Sequence, residues 1–243
     1  MTCPICLAAA KSAGAAGGGH AWGYEGKQGP EHWGELDAGY GTCSAGTQQS
    51  PIDLSGSVQA NLADVPVSYW AMPLKILNNG HTVQCNAAPG SHILVEGVRY
   101  DLLQFHFHHP SEHAIEGKRF DMEVHFVHRS EAGALSVLGV MIASGTANEA
   151  LGPVFDAMPM QEAKEREIEG VTIEPARILP RNRSLFRYFG SLTTPPCSEG
   201  VNWLVLKTPV EASPEQIGKF AQAFPGNARP LQELHRRFIL HSG

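Results

Sequence analysis

Two short runs, QFHFH at 104–108 and EVHFV at 123–127, alternate polar and apolar side chains with a period of two. That alternation belongs to extended strands with one face in the core, so the fold must be one that pairs such strands. In the first run Gln104, His106 and His108 share a face and Phe105 and Phe107 take the other. In the second, Glu123, His125 and Val127 oppose Val124 and Phe126. If the two strands are neighbours, three imidazoles converge above one face while the phenyl rings enter the core behind them.

The rest of the chain reads in the same way. Short runs rich in Val, Ile, Phe and Tyr are punctuated by 26 Gly and 17 Pro. Strands are therefore predicted at 74–78, 82–86, 92–96, 100–108, 120–128, 134–143 and 201–210. The clearest helix is SPEQIGKFAQAF, where Ser213 caps, Pro214 suits the first turn, Gln216 completes a capping box, and Ile217, Phe220, Ala221 and Phe224 share a face. A weaker helix is expected near 148–158. Between Trp22 and His241 there is no linker or internal repeat, and 243 residues suffice for one self-sufficient core. A large sheet with peripheral helices is the expected architecture.

The charge balance is mildly acidic at −6, with only 18 Lys and Arg scattered along the chain. That argues against nucleic acid, polyphosphate or a membrane surface as partner and favours a small or neutral substrate. No apolar run approaches the roughly 18 to 20 residues needed to span a bilayer. Residues 1–20 are rich in Ala and Gly and are expected to form a flexible tail, because little burial would offset the entropy of ordering them. The tail lacks the basic region of a complete signal peptide and is compatible with a start left after such a peptide was removed. Its Cys3 and Cys6 form a CxxC without a second pair or a strand-to-helix context, and they are read as spectators.

Three neutral imidazoles are a borderline-soft donor set that suits Zn²⁺, and three protein ligands leave a fourth position for water, as catalytic zinc requires. Gln104 and Glu123 stand two residues from His106 and His125 on the same faces, placed to orient the imidazoles from behind. A competing pattern shares the region: His106, His108 and Glu112 spell HxHxxxE, similar to the first metal motif of the cupins, in which Glu is itself a ligand. Against it, the flanking glycines and a second cupin motif are missing, and Pro110 breaks the strand before Glu112.

From Trp22 to about Arg237 the chain resembles an α-class carbonic anhydrase of bacterial type. The resemblance is carried by WGY at 22, GPEHW at 29, QQSPID at 48, NNGHTVQ at 78, QFHFHxPSEH at 104, EVHFVH at 123, SVLGV at 136, GSLTTPPC at 190, VNWLVL at 201 and NARPLQ at 227. It implies a mainly β fold, α+β at the margin. That fold is a single domain over 21–243, a large twisted, mostly antiparallel mixed sheet of about ten strands with peripheral short helices. It implies zinc on His106, His108 and His125, with Gln104 and Glu123 behind them, and reversible hydration of carbon dioxide to bicarbonate and a proton. Thr193 and Glu112 would orient the nucleophile: a carboxylate only accepts, so the Thr hydroxyl donates to it and receives from the hydroxide. His81 would shuttle the proton, with Tyr24, Asn79 and Gln84 ordering the water between. Val127, Val137, Leu192, Val201 and Trp203 would form the apolar wall for carbon dioxide, and Thr194 would stand near departing bicarbonate. His32, His92, His109, His113, His128 and His235 are read as structural or surface groups.

The resemblance also implies a disulfide between Cys43 and Cys197, with cis peptides before Pro51 and between Pro195 and Pro196. Such a bridge points to a periplasmic or extracellular protein. Cys85 is read as a small buried hydrophobe. Sulfonamide or anion inhibitors are expected to bind, and many bacterial relatives are homodimers. One alternative from a different class stays open, an inactive binding module on the same fold, although such modules usually lose a zinc histidine.

Overall fold

The computed structural model describes residues 21–243, so Cys3, Cys6 and the predicted tail lie outside the described residues. The strands are β1 (Val58–Gln59), β2 (Val67–Ser68), β3 (Met72–Asn78), β4 (Val83–Asn86), β5 (His92–Val95), β6 (Val98–His108) and β7 (Met122–Ser130). They continue with β8 (Leu135–Ser144), β9 (Ala163–Ile173), β10 (Leu185–Ser191), β11 (Glu199–Leu206), β12 (Val210–Ala212) and β13 (Leu240–His241). The α-helices are α1 (Trp33–Leu36), α2 (Thr42–Ala45), α3 (Gly152–Ala157) and α4 (Pro214–Ala223).

Among the described residues all thirteen strands join one sheet, with a continuous path β1-β13-β10-β11-β8-β7-β6-β4-β3-β9. Three short strands lie off that path: β12 on β8, β5 on β6, and β2 on β5. Pairing is antiparallel except for β1 with β13 and for β11 and β12 with β8. The mainly β, mostly antiparallel mixed sheet expected from the sequence is therefore the fold.

Its centre is the pair β6 and β7. His106 stands opposite His125, Gln104 opposite Val127, and His108 opposite Glu123, so all six side chains share one face. On the other face Phe105, Phe107, Val124 and Phe126 enter the main core together with Phe155 of α3 and Phe220 of α4. The Phe107 ring lies 5.5 Å from that of Phe155 and 6.0 Å from that of Phe220. Helix α4 starts on the expected capping box: the Ser213 hydroxyl accepts from Gln216 N and the Gln216 side chain accepts from Ser213 N. Burying its Ile217 and Phe220 contributes roughly 1.5–3 kcal/mol each, which anchors α4 behind the histidine strands.

Several expectations are corrected. The helix near 148–158 shrinks to α3, because Asn148 turns the chain with its side-chain oxygen, accepting from Ala150 N and Leu151 N. The strand expected over 201–210 splits into β11 and β12 at Pro209, which cannot donate to a ladder. Strands β9 and β10 have no counterpart among the predicted strands. Most of β9 is exposed and charged, as suits an edge strand, so it lacks an apolar period. The cis peptides at Pro51 and Pro196 are present, with a third between His109 and Pro110. Cys85 is a free, buried core residue.

Candidate metal centre

Strands β6 and β7 bring one ring nitrogen each of His106, His108 and His125 within 4.8 Å of one another. His108 and His125 are buried, while His106 is partly exposed. The other nitrogen of His106 and of His108 is hydrogen-bonded. His106 Nδ1 donates to Gln104 Oε1 at 2.8 Å and His108 Nδ1 donates to the Asn227 carbonyl at 2.8 Å. His125 Nε2 lies 2.9 Å from Glu123 Oε1, at ion-pair distance but without hydrogen-bond alignment. The free donors are thus Nε2 of His106 and His108 and Nδ1 of His125. His108 Nε2 is buried with no hydrogen-bond partner among the described residues. Such an orphan ordinarily costs about 1–3 kcal/mol, and a cation among these nitrogens would satisfy it. Burial, and then repulsion from its neighbours, holds His106 well below the ordinary imidazole range. Burial lowers His108 despite the charge of Glu112. Burial also opposes charge on His125, but Glu123 outweighs it and raises this ring. Nitrogen donors held in place from behind fit Zn²⁺ well.

Glu123 is the hub of the support. Its Oε2 accepts from Glu112 N and His113 N, both at 2.9 Å, and Oε1 accepts from His113 Nδ1 at 2.8 Å. Burial alone would raise this carboxyl, but the charges of His113 and His125 hold it well below the usual carboxylate range. His113 Nε2 in turn meets the Tyr188 hydroxyl at 2.6 Å, and that hydroxyl meets Ser50 Oγ at 2.8 Å. His113, read from the sequence as a structural or surface group, is fully buried and supports Glu123 beside the three histidines. Its position next to Glu112 in PSEH is the only available signal. Gly139, opposite His125 on β8, completes the cradle: a Cβ there would stand 2.8 Å from Glu123 Oε1.

Glu112 lies beside the cluster on the side of its free nitrogens, with Oε2 3.5 Å from His108 Nε2 and 3.8 Å from His125 Nδ1. Its Oε1 accepts from Arg229 N at 2.9 Å, while Oε2 is buried without a hydrogen-bond partner among the described residues. No bond from Thr193 reaches it in this structure. Thr193 is buried in the β10–β11 loop, which is fastened by the Cys43–Cys197 disulfide. The Arg229 guanidinium donates to the carbonyls of Cys43 and Ser50 and to Gln49 Oε1. Arg229 therefore links the bridge to Glu112. Asn227 is a second residue that sequence reasoning leaves out. Besides accepting the hydrogen bond of His108 Nδ1 on its carbonyl, it accepts from His109 N through Oδ1 and donates to the carbonyls of His81 and Phe107 through Nδ2.

His81 occupies the β3–β4 turn and is partly buried, its ring stacked on Trp22 with centroids 3.6 Å apart and planes 7° from parallel. Asn79 Oδ1 is occupied by His81 N and Thr82 N, so this side chain shapes the turn. Gln84 stands opposite His106 and donates to Asn86 Oδ1 at 2.6 Å. Burial, and then the charge of Glu112, raises the Tyr24 hydroxyl well above its ordinary range. Val137, Val201 and Trp203 belong to one apolar cluster against which Val127 and Leu192 pack. The Trp203 ring lies 4.8 Å from that of His125. Thr194 accepts from Cys197 N through its carbonyl at 2.9 Å.

Fold and site together define a single-sheet β protein with a cluster of three histidines at mid-sheet that could hold a metal ion. The chain belongs to the eukaryotic-type carbonic anhydrase family, whose model matches residues 28–243. A carbonic anhydrase from a Nostoc species is 47% identical over 226 residues, covering 91% of this chain and 86% of the relative. The α-carbonic anhydrase of Thermovibrio ammonificans, solved with sulfanilamide, is 45% identical with a TM-score of 0.88, covering 92% of this chain and all of that one. A dioscorin solved with ascorbate is 30% identical with a TM-score of 0.85, covering 91% of this chain and 97% of its own. The cupin-like reading of HxHxxxE is overturned by this membership.

Proposed function

We propose that the protein is a zinc-dependent carbonic anhydrase that reversibly hydrates carbon dioxide to bicarbonate and a proton. One observation carries the reading: three convergent imidazoles, with His106 and His108 hydrogen-bonded by Gln104 and Asn227 and with the Glu123 carboxylate beside His125. His106, His108 and His125 would hold the ion. When bound, zinc supplies a Lewis acid that brings the ionisation of a coordinated water near neutral pH.

The chain's own groups do the rest. The unpartnered Oε2 of Glu112 is the acceptor to which the Thr193 hydroxyl would donate, leaving Thr193 able only to receive a proton from the nucleophilic oxygen. That fixes the direction of attack. Carbon dioxide is small and uncharged, so the apolar side formed by Val127, Val137, Leu192, Val201 and Trp203 suits it, with Thr194 beside departing bicarbonate. Proton loss from an acid of pKa about 7 directly to water is capped near 10³ s⁻¹, so fast turnover needs a relay. His81 at the site's margin serves as that relay, with Tyr24, Asn79 and Gln84 on the water path. The disulfide favours an oxidising compartment, periplasmic or extracellular.

The test is metal analysis combined with stopped-flow hydration, with and without a chelator or a sulfonamide. One zinc per chain and activity abolished by either agent are expected. A protein that binds zinc but releases no protons from carbon dioxide would instead be a binding module.

A further inference from the structure

We propose that Glu162 is a positioning residue for proton release, its carboxylate held beside the turn that carries His81 so as to stabilise the imidazolium form. The proposal rests on His81 acting as the relay. The placement is built into the fold. Ala163, the first residue of β9, pairs with Asn78, the last residue of β3. Asn78 Nδ2 donates to Pro159 O at 2.9 Å, and Asn78 Oδ1 accepts from Gly80 N at 2.9 Å. One side chain therefore clamps the segment before β9 to the turn bearing His81. Glu162 falls between those anchor points. A Cβ at Gly80 would lie 3.7 Å from Glu162 Oε2, so the carboxylate covers the residue next to His81.

The other described groups against His81 do not titrate near neutrality. Trp22 stacks on its ring, Asn79 accepts from its backbone N–H and Asn227 donates to its carbonyl. Burial makes a charged His81 less favourable, and the negative charge of Glu162 opposes that effect. The carboxylate is exposed and makes no hydrogen bond to the ring, so it acts through its field, and salt should weaken it. A relay must take up and release a proton near neutral pH, so this opposition keeps a half-buried ring in its working range.

The experiment is an NMR titration of the His81 ring in the wild type and in Glu162→Gln, at low salt and near 0.5 M salt. It is paired with weak-buffer hydration rates for both proteins and for His81→Ala. The His81 midpoint should fall in Glu162→Gln, salt should lower the wild-type midpoint toward that of the variant, and the variant should respond little. The pH profile of weak-buffer turnover should move the same way. A His81 midpoint unchanged in Glu162→Gln at low salt overturns the proposal. If the midpoint moves but His81→Ala turns over like wild type in weak buffer, the relay reading fails, and the role of Glu162 in catalysis fails with it. The NMR titration keeps the two failures distinct.

Discussion

His113 Nδ1 lies 2.8 Å from Glu123 Oε1, and the two side chains meet where neither is exposed to solvent. The same carboxylate oxygen stands 2.9 Å from Nε2 of His125, so His113 and a candidate metal ligand face one oxygen. Replacing His113 by Phe deprives Glu123 and the Tyr188 hydroxyl of a partner at once. The Tyr188 hydroxyl keeps Ser50 Oγ, whereas Glu123 Oε1 loses its buried donor, so urea unfolding should show a loss of about 1–3 kcal/mol. Zinc affinity, measured by competition with a chromophoric chelator, should fall about 10–100-fold. An unchanged zinc affinity would remove His113 from the support of the site.

Gly139 constrains the same oxygen from the neighbouring strand. An added Cβ would sit 2.8 Å from Glu123 Oε1, and that carboxylate cannot swing away without giving up bonds to Glu112 N and His113. Gly139→Ala is therefore expected to cost about 1–3 kcal/mol and to weaken zinc binding through His125. Gly133, in the turn before β8, has open space around an added Cβ but a positive φ, so it is a poor control. Gly152, with neither constraint, is the right one. Equal zinc affinity in the Gly139 and Gly152 alanine variants would refute the expectation.

The three candidate ligands were legible because strand periodicity alone assigns His106, His108 and His125 a face, and pairing β6 with β7 then merges the faces. Gln104 was legible for the same reason. His113 and Asn227 were not, because neither lies on a periodic run. Asn227 reaches His108 across 119 positions, a contact that only tertiary structure creates. The β9 edge was hidden by its charged side chains, and the place of Glu162 beside Gly80 depends on that hidden strand. Local pattern thus reveals what a strand presents, while the residues that hold the presented groups come from distant loops.

The Cys43–Cys197 bridge spans 154 positions. On chain-entropy grounds a loop of that length stabilises by up to about 5 kcal/mol, an upper figure. Reduction, or a Cys43→Ser and Cys197→Ser double variant, should lower stability by several kcal/mol in urea. It should also reduce hydration activity under conditions where the protein stays folded. The reason is connectivity: Gln49 Nε2 donates to Cys197 O, Arg229 donates to Cys43 O, and Arg229 N donates to Glu112. Full activity in the folded, reduced protein would show that the loop bearing Thr193 holds its shape without the bridge.

His128 should set part of the acid limit of stability. The ring is buried, with Nδ1 donating to the Ser136 carbonyl at 3.2 Å and Nε2 facing the Tyr69 hydroxyl at 2.7 Å. Because Nδ1 must keep its proton for a carbonyl, Nε2 is the acceptor and the neutral ring satisfies both contacts. Burial lowers the pKa of His128 to about 3. In the unfolded chain the ordinary value is about 6.5, so between these limits the unfolded state binds a proton that the folded state refuses. The stability linked to His128 is complete above pH 6.5 and is lost as pH falls toward 3, at about 1.4 kcal/mol per pH unit. By pH 5 the loss is about 2 kcal/mol. His128→Gln removes the titration, so the stability gap between wild type and variant, from urea unfolding, should narrow by that amount between pH 7 and pH 5. A gap that stays constant over that interval would mean that His128 takes up its proton in the folded state as readily as in the unfolded chain.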